Sequence, residues 1–323
     1  MSRPRVQLTR RWPAAVEQAL AERYDLRINE DDVPLNRSAL CEAFYWADAI
    51  CPTVTDNLGS EFFAELNSER VRAQLLANYG VGFNHIDLAS AAARQIAVTN
   101  TPGVLTEATA DLALTLVLMV ARRTGEGERQ LRAGHWQGWR PTHLVGASVT
   151  GRTLGIIGMG RIGQALARKA QRGLDMHVLY YSRSALAADA DVQAERCSNL
   201  EDLLARSDFV SLHCPSNAET RHLLNAHRLA QCRPSAFVIN TARGDVLDEA
   251  ALAAALEQGV LAGAGLDVYA DEPQVNAALL AREDVVLLPH LGSATVEARE
   301  AMGFRAMSNL DAFFADDKLP DKL

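Results

Sequence analysis

The sequence predicts an α/β protein built from two doubly wound parallel-sheet domains, and three observations lead to this prediction. The chain has 323 residues, which is more than one hydrophobic core usually supports. Short apolar strands alternate with helical stretches along most of its length, as they do in parallel sheets. A glycine-rich turn, Gly158-Met159-Gly160-Arg161-Ile162-Gly163, joins one of these strands to a helix. Two sheets with helices on both faces account for all three observations.

The composition narrows the class of protein. With 48% hydrophobic and 22% charged residues, the chain has the make-up of an ordinary globular protein. Its net charge of -8 argues against sequence-independent binding to nucleic acid, because such binding requires a basic surface. The five cysteines are widely spaced and form no CxxC pair. We therefore expect reduced thiols, no metal site and a cytosolic location.

We expect neither export nor membrane insertion from the apolar stretches of the sequence. Charged residues interrupt each apolar stretch of the opening segment MSRPRVQLTRRWP, so no export signal is expected. The longest apolar run, residues 112–121, is about half of the ~20 residues that a bilayer span needs. We predict a buried helix there and no membrane partner.

The first domain is predicted from the amino-terminal third of the chain. Strands are expected at residues 6–8, 24–28, 74–77 and 97–100, with helices at 14–21 and 37–46. The third of these strands leads into the glycine loop Asn78-Tyr79-Gly80-Val81-Gly82. The turn Thr101-Pro102-Gly103 marks the crossing into a second domain, and a long connecting helix is expected over 104–123.

The second domain is predicted to contain six strands, separated by helices. They are expected at residues 154–158, 178–181, 209–213, 237–240, 264–268 and 285–288. Met302, Ala306, Leu310 and Phe314 then recur at helical spacing, so a last helix is expected to return to the first domain. This makes the first domain discontinuous, with residues 1–101 and 292–323, and assigns residues 102–291 to the second.

The glycine turn predicts a dinucleotide site. Such clusters also occur at turns without a ligand, but this one follows a strand and opens the apolar helix 162–170. In that context the backbone N–H groups and the helix N-terminus hold a pyrophosphate, as in a Rossmann domain. Arg161 lies in the first helical turn, where it either contacts a phosphate or is a solvated surface arginine.

The residues after the second strand of this domain predict the choice of cofactor. An NAD site places Asp or Glu there to bind the ribose 2′-OH, whereas this chain has Ser182 and Arg183. Asp175 precedes the strand and is expected at its opposite end. Arg183 can pair with a 2′-phosphate and Ser182 can donate to it, which favours NADP(H) over the alternative NAD(H). Otherwise Arg183 is a solvated loop residue.

Three polar residues follow strands of the same sheet and are candidates for catalysis. Arg243, Glu272 and His290 come after predicted strands, and the carboxyl ends of parallel strands meet at one crevice. Reduction of a 2-oxoacid needs a cation for the carboxylate, a proton donor for the developing alkoxide and a group that orients the donor. Arg243, His290 and Glu272 fit these roles in that order.

Each of the three also has an ordinary structural interpretation. Arg243 is then a surface ion pair, Glu272 a solvated loop acid and His290 a histidine satisfied at a strand end. Their joint placement on a nucleotide-binding sheet favours the catalytic interpretation.

The motifs together resemble the D-isomer-specific 2-hydroxyacid dehydrogenase family. The resemblance rests on ordered blocks spanning most of the chain: NYGVGFNHID, NTPGVLTEATAD, GMGRIG, INTARGDVLDE, GAGLDVYADEP and LLPHLGSAT. It implies the catalytic set Arg243, Glu272 and His290, a flavodoxin-like substrate domain with a Rossmann domain inserted in it, a homodimer, and D stereochemistry of the product.

Further site residues are implied by the resemblance at matching positions. Val81 and Gly82 correspond to backbone donors to the substrate carboxylate, which Arg243 and His290 also bind. With the glycine turn and the Ser182-Arg183 pair, the implied cofactor contacts are Thr106, Gly158, Gly160, Arg161, Ile162, Gly163, Ser182, Arg183, Cys214, Pro215, Thr241, Arg243, Asp267 and His290. The ordinary alternatives are a glycine turn, a helix start and a buried thiol.

Within the family, the chain looks most similar to the glyoxylate and hydroxypyruvate reductases. The similarity lies in Tyr181-Ser182-Arg183 and in HWQGWRP, in which Trp139 is implied to reach the partner subunit's active site. A locally packed aromatic cluster is the alternative for Trp139. The sequence thus predicts an NADPH-preferring reductase of small 2-oxoacids. The alternatives are a 2-ketogluconate or other dehydrogenase of the family, and a nucleotide-sensing binding protein on the same fold.

Overall fold

A computed structural model describes residues 3–188 and 190–323, and the chain divides into two compact units. The first unit contains Met1–Leu105 and Ala294–Leu323, and the second contains Thr106–Ser293. The second unit thus begins at Thr106 rather than at 102 and ends at Ser293 rather than at 291.

The first unit contains a five-stranded sheet in which the pairings are parallel. Its strands are β1 (Arg5–Leu8), β2 (Asp25–Ile28), β3 (Ala49–Cys51), β4 (Leu75–Ala77) and β5 (Ala97–Thr99). Their order is β2-β1-β3-β4-β5. This is the flavodoxin-like order of a doubly wound sheet, as predicted.

The helices of the first unit bury apolar stripes on this sheet. They are α1 (Ala14–Arg23), α2 (Arg37–Trp46), α3 (Ser60–Glu65), α4 (Leu88–Ala93) and α12 (Val296–Phe314), numbered along the chain. Asn36 and Asp87 cap α2 and α4 by accepting a backbone N–H from Ala39 and Ser90.

The last helix, α12, belongs to the first unit, as its apolar spacing predicted. Met302, Ala306 and Leu310 are buried there in the same cluster as Val16 and Leu20 of α1. Gly303 permits the close approach of the two helices, because a Cβ at that position would lie 2.7 Å from the Val16 side chain.

The carboxyl-terminal segment is fixed to the same unit by polar contacts. The buried Asp321 carboxylate accepts two hydrogen bonds from Arg305, at 2.6 and 2.7 Å, and one from Asn309 at 3.0 Å. The Leu323 amide donates to the Val98 carbonyl at 2.9 Å, beside β5. The first unit is therefore completed by residues that follow the whole second unit in the chain.

The second unit contains a seven-stranded parallel sheet. Its strands are β6 (Thr153–Ile157), β7 (His177–Tyr181), β8 (Glu195–Arg196), β9 (Phe209–Leu212), β10 (Phe237–Asn240), β11 (Gly263–Leu266) and β12 (Val285–Leu287). The order is β12-β11-β10-β9-β6-β7-β8, which is the doubly wound order of a Rossmann sheet, with the change of winding direction between β6 and β9.

Helices cover this second sheet and form two apolar clusters with it. They are α5 (Thr106–Ala121), α6 (Thr124–Arg132), α7 (Arg161–Leu174), α8 (Leu200–Arg206), α9 (Ala226–Leu229), α10 (Glu249–Glu257) and α11 (Ala277–Leu280). The buried face of α5 packs closely on β11, because Gly265 leaves room for Leu116. The predicted connecting helix is thus a packed core helix of the second unit.

Strands β3 and β8 and helices α3, α4 and α6 were absent from the prediction. Strand β8 has two residues and helices α3 and α4 have six each, which is too short for a periodic pattern to be recognised. Strand β3 begins shortly after α2, so its apolar residues do not stand out from the apolar end of that helix. Helix α6 has no buried residue, and it is separated from α5 by Arg123 with a φ of 53°.

The five cysteines are unpaired thiols. Within residues 3–188 and 190–323, no helix combines the length and apolar character needed to span a bilayer.

Candidate active site

The turn between β6 and α7 has a backbone geometry that requires glycine at two positions. Gly158 has a φ of +97°, and a Cβ there would lie 2.5 Å from the Cys214 backbone nitrogen. A Cβ on Gly163 would lie 2.4 Å from the Gly158 carbonyl oxygen. Neither position tolerates a side chain, because backbone atoms block both.

The start of helix α7 is uncapped and open beside this turn. Gly160 begins α7, and nothing lies within 4 Å of the position that its Cβ would take. No side chain caps this helix end, so the N–H groups of its first turn remain for a ligand. Arg161 is exposed in that turn and Ile162 packs partly into the core. These residues fit a dinucleotide whose phosphates lie at the helix N-terminus.

Ser182 and Arg183 follow β7 directly, at the same edge of the sheet as the glycine turn. The amide of Gly158 donates to the Tyr181 carbonyl at 2.9 Å, which joins the two strand ends. The Arg183 side chain is 83% exposed, and its ion pair with Glu219 is long, at 4.0 Å. Asp175 ends α7 two residues before β7 begins, so it lies at the other end of that strand.

Cys214 and Pro215 continue from β9, on the other side of the point where the winding direction changes. The Cys214 backbone is one wall of the Gly158 turn, as the close approach of the two residues requires. Burial raises the pKa of the Cys214 thiol to about 11. The thiol is therefore protonated near neutral pH and acts as a wall rather than as a nucleophile.

Arg243 follows β10 in a turn that is held by Asn240. The Asn240 amide donates to the Arg243 carbonyl at 2.9 Å, and its oxygen accepts from the Ala242 amide at 3.0 Å. Gly244 comes next, and a Cβ there would lie 1.8 Å from the Tyr269 carbonyl carbon. Burial lowers the pKa of Arg243, and the carboxylates of Glu272 and Asp245 oppose this effect. Arginine stays charged under such conditions.

Glu272 and His290 form a hydrogen-bonded pair at the carboxyl ends of β11 and β12. Glu272 Oε2 lies 2.7 Å from His290 Nδ1, and Oε1 accepts from the Tyr269 amide at 3.0 Å. Burial raises the pKa of Glu272, but the bonds from His290 and Tyr269 and the charge of Arg243 lower it more. The carboxylate is thus ionised, and it fixes the orientation of the imidazole ring.

Asp267 anchors the segment that carries His290. Its two carboxylate oxygens accept from the Leu291 and Gly292 amides at 2.6 and 2.8 Å, and its carbonyl accepts from the His290 amide at 2.9 Å. His290 itself has a φ of 55°, a conformation that non-glycine residues seldom adopt. Burial raises the pKa of Asp267 although these bonds and the charge of His290 lower it.

Two threonines complete the predicted cofactor contacts in this unit. Thr241 is buried between Asn240 and Arg243, and its hydroxyl has no hydrogen-bond partner among the described residues. A buried donor without a partner is costly, and it fits a site that a ligand completes. Thr106 is the first residue of α5.

Val81 and Gly82 belong to the first unit, in the loop after β4. Asn100 donates to the Val81 carbonyl at 2.8 Å, and Asn78 donates to the Gly82 carbonyl at 3.0 Å. The amides of Val81 and Gly82 donate to no protein acceptor within the described chain. Both carbonyls are thus occupied, while both N–H groups remain for an anion.

Trp139 lies in the irregular segment between α6 and β6. Its exposed fraction is 81%, and that of Trp136 is 53%. Such exposure contradicts a locally packed aromatic cluster and leaves a large apolar surface to be covered.

The second unit therefore brings most of the predicted residues to one edge of its sheet. The turn with Gly158, the pair Ser182-Arg183, Arg243 and the Glu272–His290 pair all follow the carboxyl ends of its strands. Sequence reasoning missed the asparagines that shape the loops, Asn78, Asn100 and Asn240, each buried at or just after the end of a strand. Their signal was an Asn placed two to four residues before a glycine, as in NYG, NTPG and NTARG.

Comparison with known proteins agrees with this arrangement. A sequence model described as "D-isomer specific 2-hydroxyacid dehydrogenase, NAD binding domain" matches residues 114–292. A glyoxylate reductase from Thermococcus litoralis is 43% identical over 326 residues, which covers 99% of this chain and 96% of the relative.

Two solved structures are similar over nearly their whole length. A protein from Thermus thermophilus has a TM-score of 0.89 at 40% identity, with 99% of each chain covered. An NADPH-dependent glyoxylate/hydroxypyruvate reductase from Sinorhizobium meliloti, in complex with NADP and malonate, has a TM-score of 0.87 at 33% identity, covering 100% of this chain and 97% of that one. The chain therefore belongs to the D-isomer-specific 2-hydroxyacid dehydrogenase family.

Proposed function

We propose that this protein is an NADPH-preferring reductase that converts glyoxylate, hydroxypyruvate and similar small 2-oxoacids into D-2-hydroxyacids. The observation that carries the proposal is the Glu272–His290 pair beside the charge of Arg243. The reductase direction and the substrate class are supported by the glyoxylate reductase that is 43% identical to this chain.

The roles of the three residues follow from their contacts. Because His290 Nδ1 is bonded to Glu272, Nε2 is the nitrogen that remains to donate a proton to the carbonyl oxygen of the substrate. The Glu272 carboxylate stabilises the protonated ring and keeps it aimed. Arg243 binds the substrate carboxylate and polarises the carbonyl, since its guanidinium is planar and permanently charged. The Val81 and Gly82 amides are proposed to share in binding the carboxylate.

The nicotinamide cofactor, when bound, supplies the hydride to the carbonyl carbon. Residues of the glycine turn would hold its pyrophosphate, and Thr106, Thr241 and Asp267 would lie toward its nicotinamide end. Ser182 and Arg183 would hold a 2′-phosphate, because no carboxylate directly follows β7 to accept the ribose hydroxyl. The similar structure from S. meliloti contains NADP, which supports the same preference here.

A homodimer in which Trp139 enters the partner's active site also belongs to the proposal. Its support is the 81% exposure of a tryptophan, a residue that usually buries most of its surface. Sedimentation at micromolar protein concentration tests the dimer, and a monomer under those conditions would remove the proposed role of Trp139.

The function is tested by following NADPH oxidation with glyoxylate, hydroxypyruvate, pyruvate and 2-ketogluconate, each repeated with NADH. We expect turnover above ~1 s⁻¹ on the first two substrates and a higher kcat/KM with NADPH. Turnover on 2-ketogluconate alone would keep the mechanism but replace the substrate. Tight nucleotide binding without turnover would instead indicate a nucleotide-sensing protein.

A further inference from the structure

Arg196 holds the two residues on which the proposed NADPH preference depends. It is the second residue of the short edge strand β8, where it pairs in register with Tyr180 of β7. Its Nη2 donates to the carbonyl oxygens of Ser182 and Arg183, at 3.0 Å each. A single guanidinium nitrogen thus fixes the backbone of both residues from a neighbouring strand.

Among residues 3–188 and 190–323, no acceptor other than these two carbonyls is bound by the Arg196 guanidinium. Arginine carries five N–H donors, of which Nη2 supplies two, so the donors on Nε and Nη1 remain. No carboxylate lies within 4.0 Å of Arg196 among the described residues.

Neighbouring arginines on this side of the unit differ from Arg196 in this respect. Arg206 is paired with Glu195 at 2.8 Å and with Asp202 at 3.0 Å, and Arg172 is paired with Asp191 at 2.7 Å. The positive charge of Arg196 is therefore not neutralised by a paired carboxylate as theirs is, although Asp191, Glu195 and Asp202 lie nearby in the sequence.

The two carbonyl oxygens that Arg196 binds indicate what its positive charge can do at this site. Two carbonyl oxygens at the end of a strand carry partial negative charge and would repel a doubly charged phosphate. A cation bound to both removes that repulsion and adds attraction, and it does so at a position that a 2′-OH alone would not need.

We propose that Arg196 is a specificity-determining and positioning residue for the 2′-phosphate of the nucleotide: it orders Ser182 and Arg183 through their carbonyls and contributes a second positive charge beside Arg183. This inference rests on the proposed NADPH preference. It adds a residue from a different strand, 13 positions after Arg183 in the chain.

Nucleotide binding tests the inference without turnover. Calorimetric titration with 2′,5′-ADP and with 5′-AMP separates the 2′-phosphate from the rest of the adenosine half. We expect Arg196→Gln to weaken 2′,5′-ADP binding at least tenfold and to change 5′-AMP binding less than twofold. Arg196→Lys should recover part of the loss, because an ammonium group keeps the charge and three donors.

Arg152→Gln is the matched control for charge. Arg152 is exposed in the same unit and directly precedes β6, at the amino ends of the strands. The substitution Arg152→Gln removes the same charge at the opposite end of the sheet, so binding of both nucleotides should stay unchanged. Kinetics add a second measure: in Arg196→Gln the KM for NADPH should rise at least tenfold, while the KM for NADH and the kcat at saturating NADPH stay near wild type.

The outcomes separate this inference from the proposed function. If the wild-type protein prefers 2′,5′-ADP and Arg196→Gln leaves that preference intact, Arg196 has no such role, while the NADPH preference stands. Equal weakening of both nucleotides would show a merely structural role and would also overturn the inference. If the wild-type protein binds both nucleotides equally, the NADPH preference and the role of Arg196 fail together.

Discussion

The two halves of the seven-stranded sheet build their parts of the site in different ways. At β6 and β9 the site is made of backbone, with Gly158 and Gly163 at positions where any Cβ would strike backbone atoms. At β10, β11 and β12 it is made of side chains: the Tyr269 amide donates to Glu272, and the Asp267 carboxylate accepts from the two amides that follow His290.

This difference separates binding from chemistry. A backbone site is sensitive to added volume, because an intruding atom deforms the turn itself. A side-chain site is sensitive to lost groups, because the fold persists when a proton donor or its partner is replaced. We therefore expect substitutions in the first half to affect folding and nucleotide binding, and those in the second half to affect the rate.

The largest effect is expected for His290→Asn. Asparagine tolerates the positive φ of His290 better than alanine does, so the backbone conformation is retained while the imidazole that we propose as proton donor is lost. General acid catalysis contributes about 10²- to 10⁴-fold, and we expect kcat for oxoacid reduction to fall by that factor. NADPH binding, measured by fluorescence titration, should change far less than kcat. A wild-type kcat would exclude His290 as the acid.

The next largest effect is expected for Gly158→Ala, which should lower the stability of the fold and strongly weaken NADPH binding. The φ of +97° and the contact with the Cys214 backbone would cost about 1–3 kcal/mol in strain, so the midpoint of thermal unfolding should fall. Gly160→Ala is the matched control, because its Cβ meets no protein atom. It should unfold like wild type but bind NADPH more weakly. Identical behaviour of the two variants would contradict the assignment of separate roles.

The smallest effect is expected for Glu272→Gln, and it should depend on pH. Glutamine keeps the size of the side chain but not the negative charge that holds the imidazole ring, so we expect kcat for oxoacid reduction to fall by less than in His290→Asn. The pKa of Glu272 is lowered in the folded protein, so its stabilisation is present above its ordinary pKa of ~4.3 and is lost as the pH falls through the folded pKa. The stability difference from wild type should therefore shrink in acid. A wild-type kcat together with a stability difference that is the same at neutral and at acid pH would argue against Glu272 as the partner of His290.

Much of the architecture could be predicted because short segments of this chain indicate where its strands and helices lie. Each of the six predicted strands of the second unit is an apolar run followed by a turn, and their alternation with helices fixes a parallel sheet. The carboxyl ends of such strands share an edge, which is why Arg243, Glu272 and His290 could be grouped despite their separation in sequence.

Other features could not be predicted, because they depend on contacts between distant residues. The bonds from Asn100 to Val81 and from Arg196 to Ser182 join segments that are distant in sequence, and the motif NTPG that contains Asn100 does not indicate which carbonyl its amide binds. The close approach of Gly244 to Tyr269 likewise appears only when β10 and β11 lie side by side. Strand β8 has too few residues to leave a pattern, although it carries Arg196.

The split of the first unit has a consequence for how the protein is made. Residues 106–293 are contiguous, so the ribosome releases everything that the second unit needs before it releases α12. The first unit can be completed only after Arg305, Asn309 and Asp321 have been synthesised and have formed their contacts beside β5. During synthesis, at about 5–20 residues per second, the nucleotide-binding unit can fold first. Helix α12 then packs on the first unit and completes its fold.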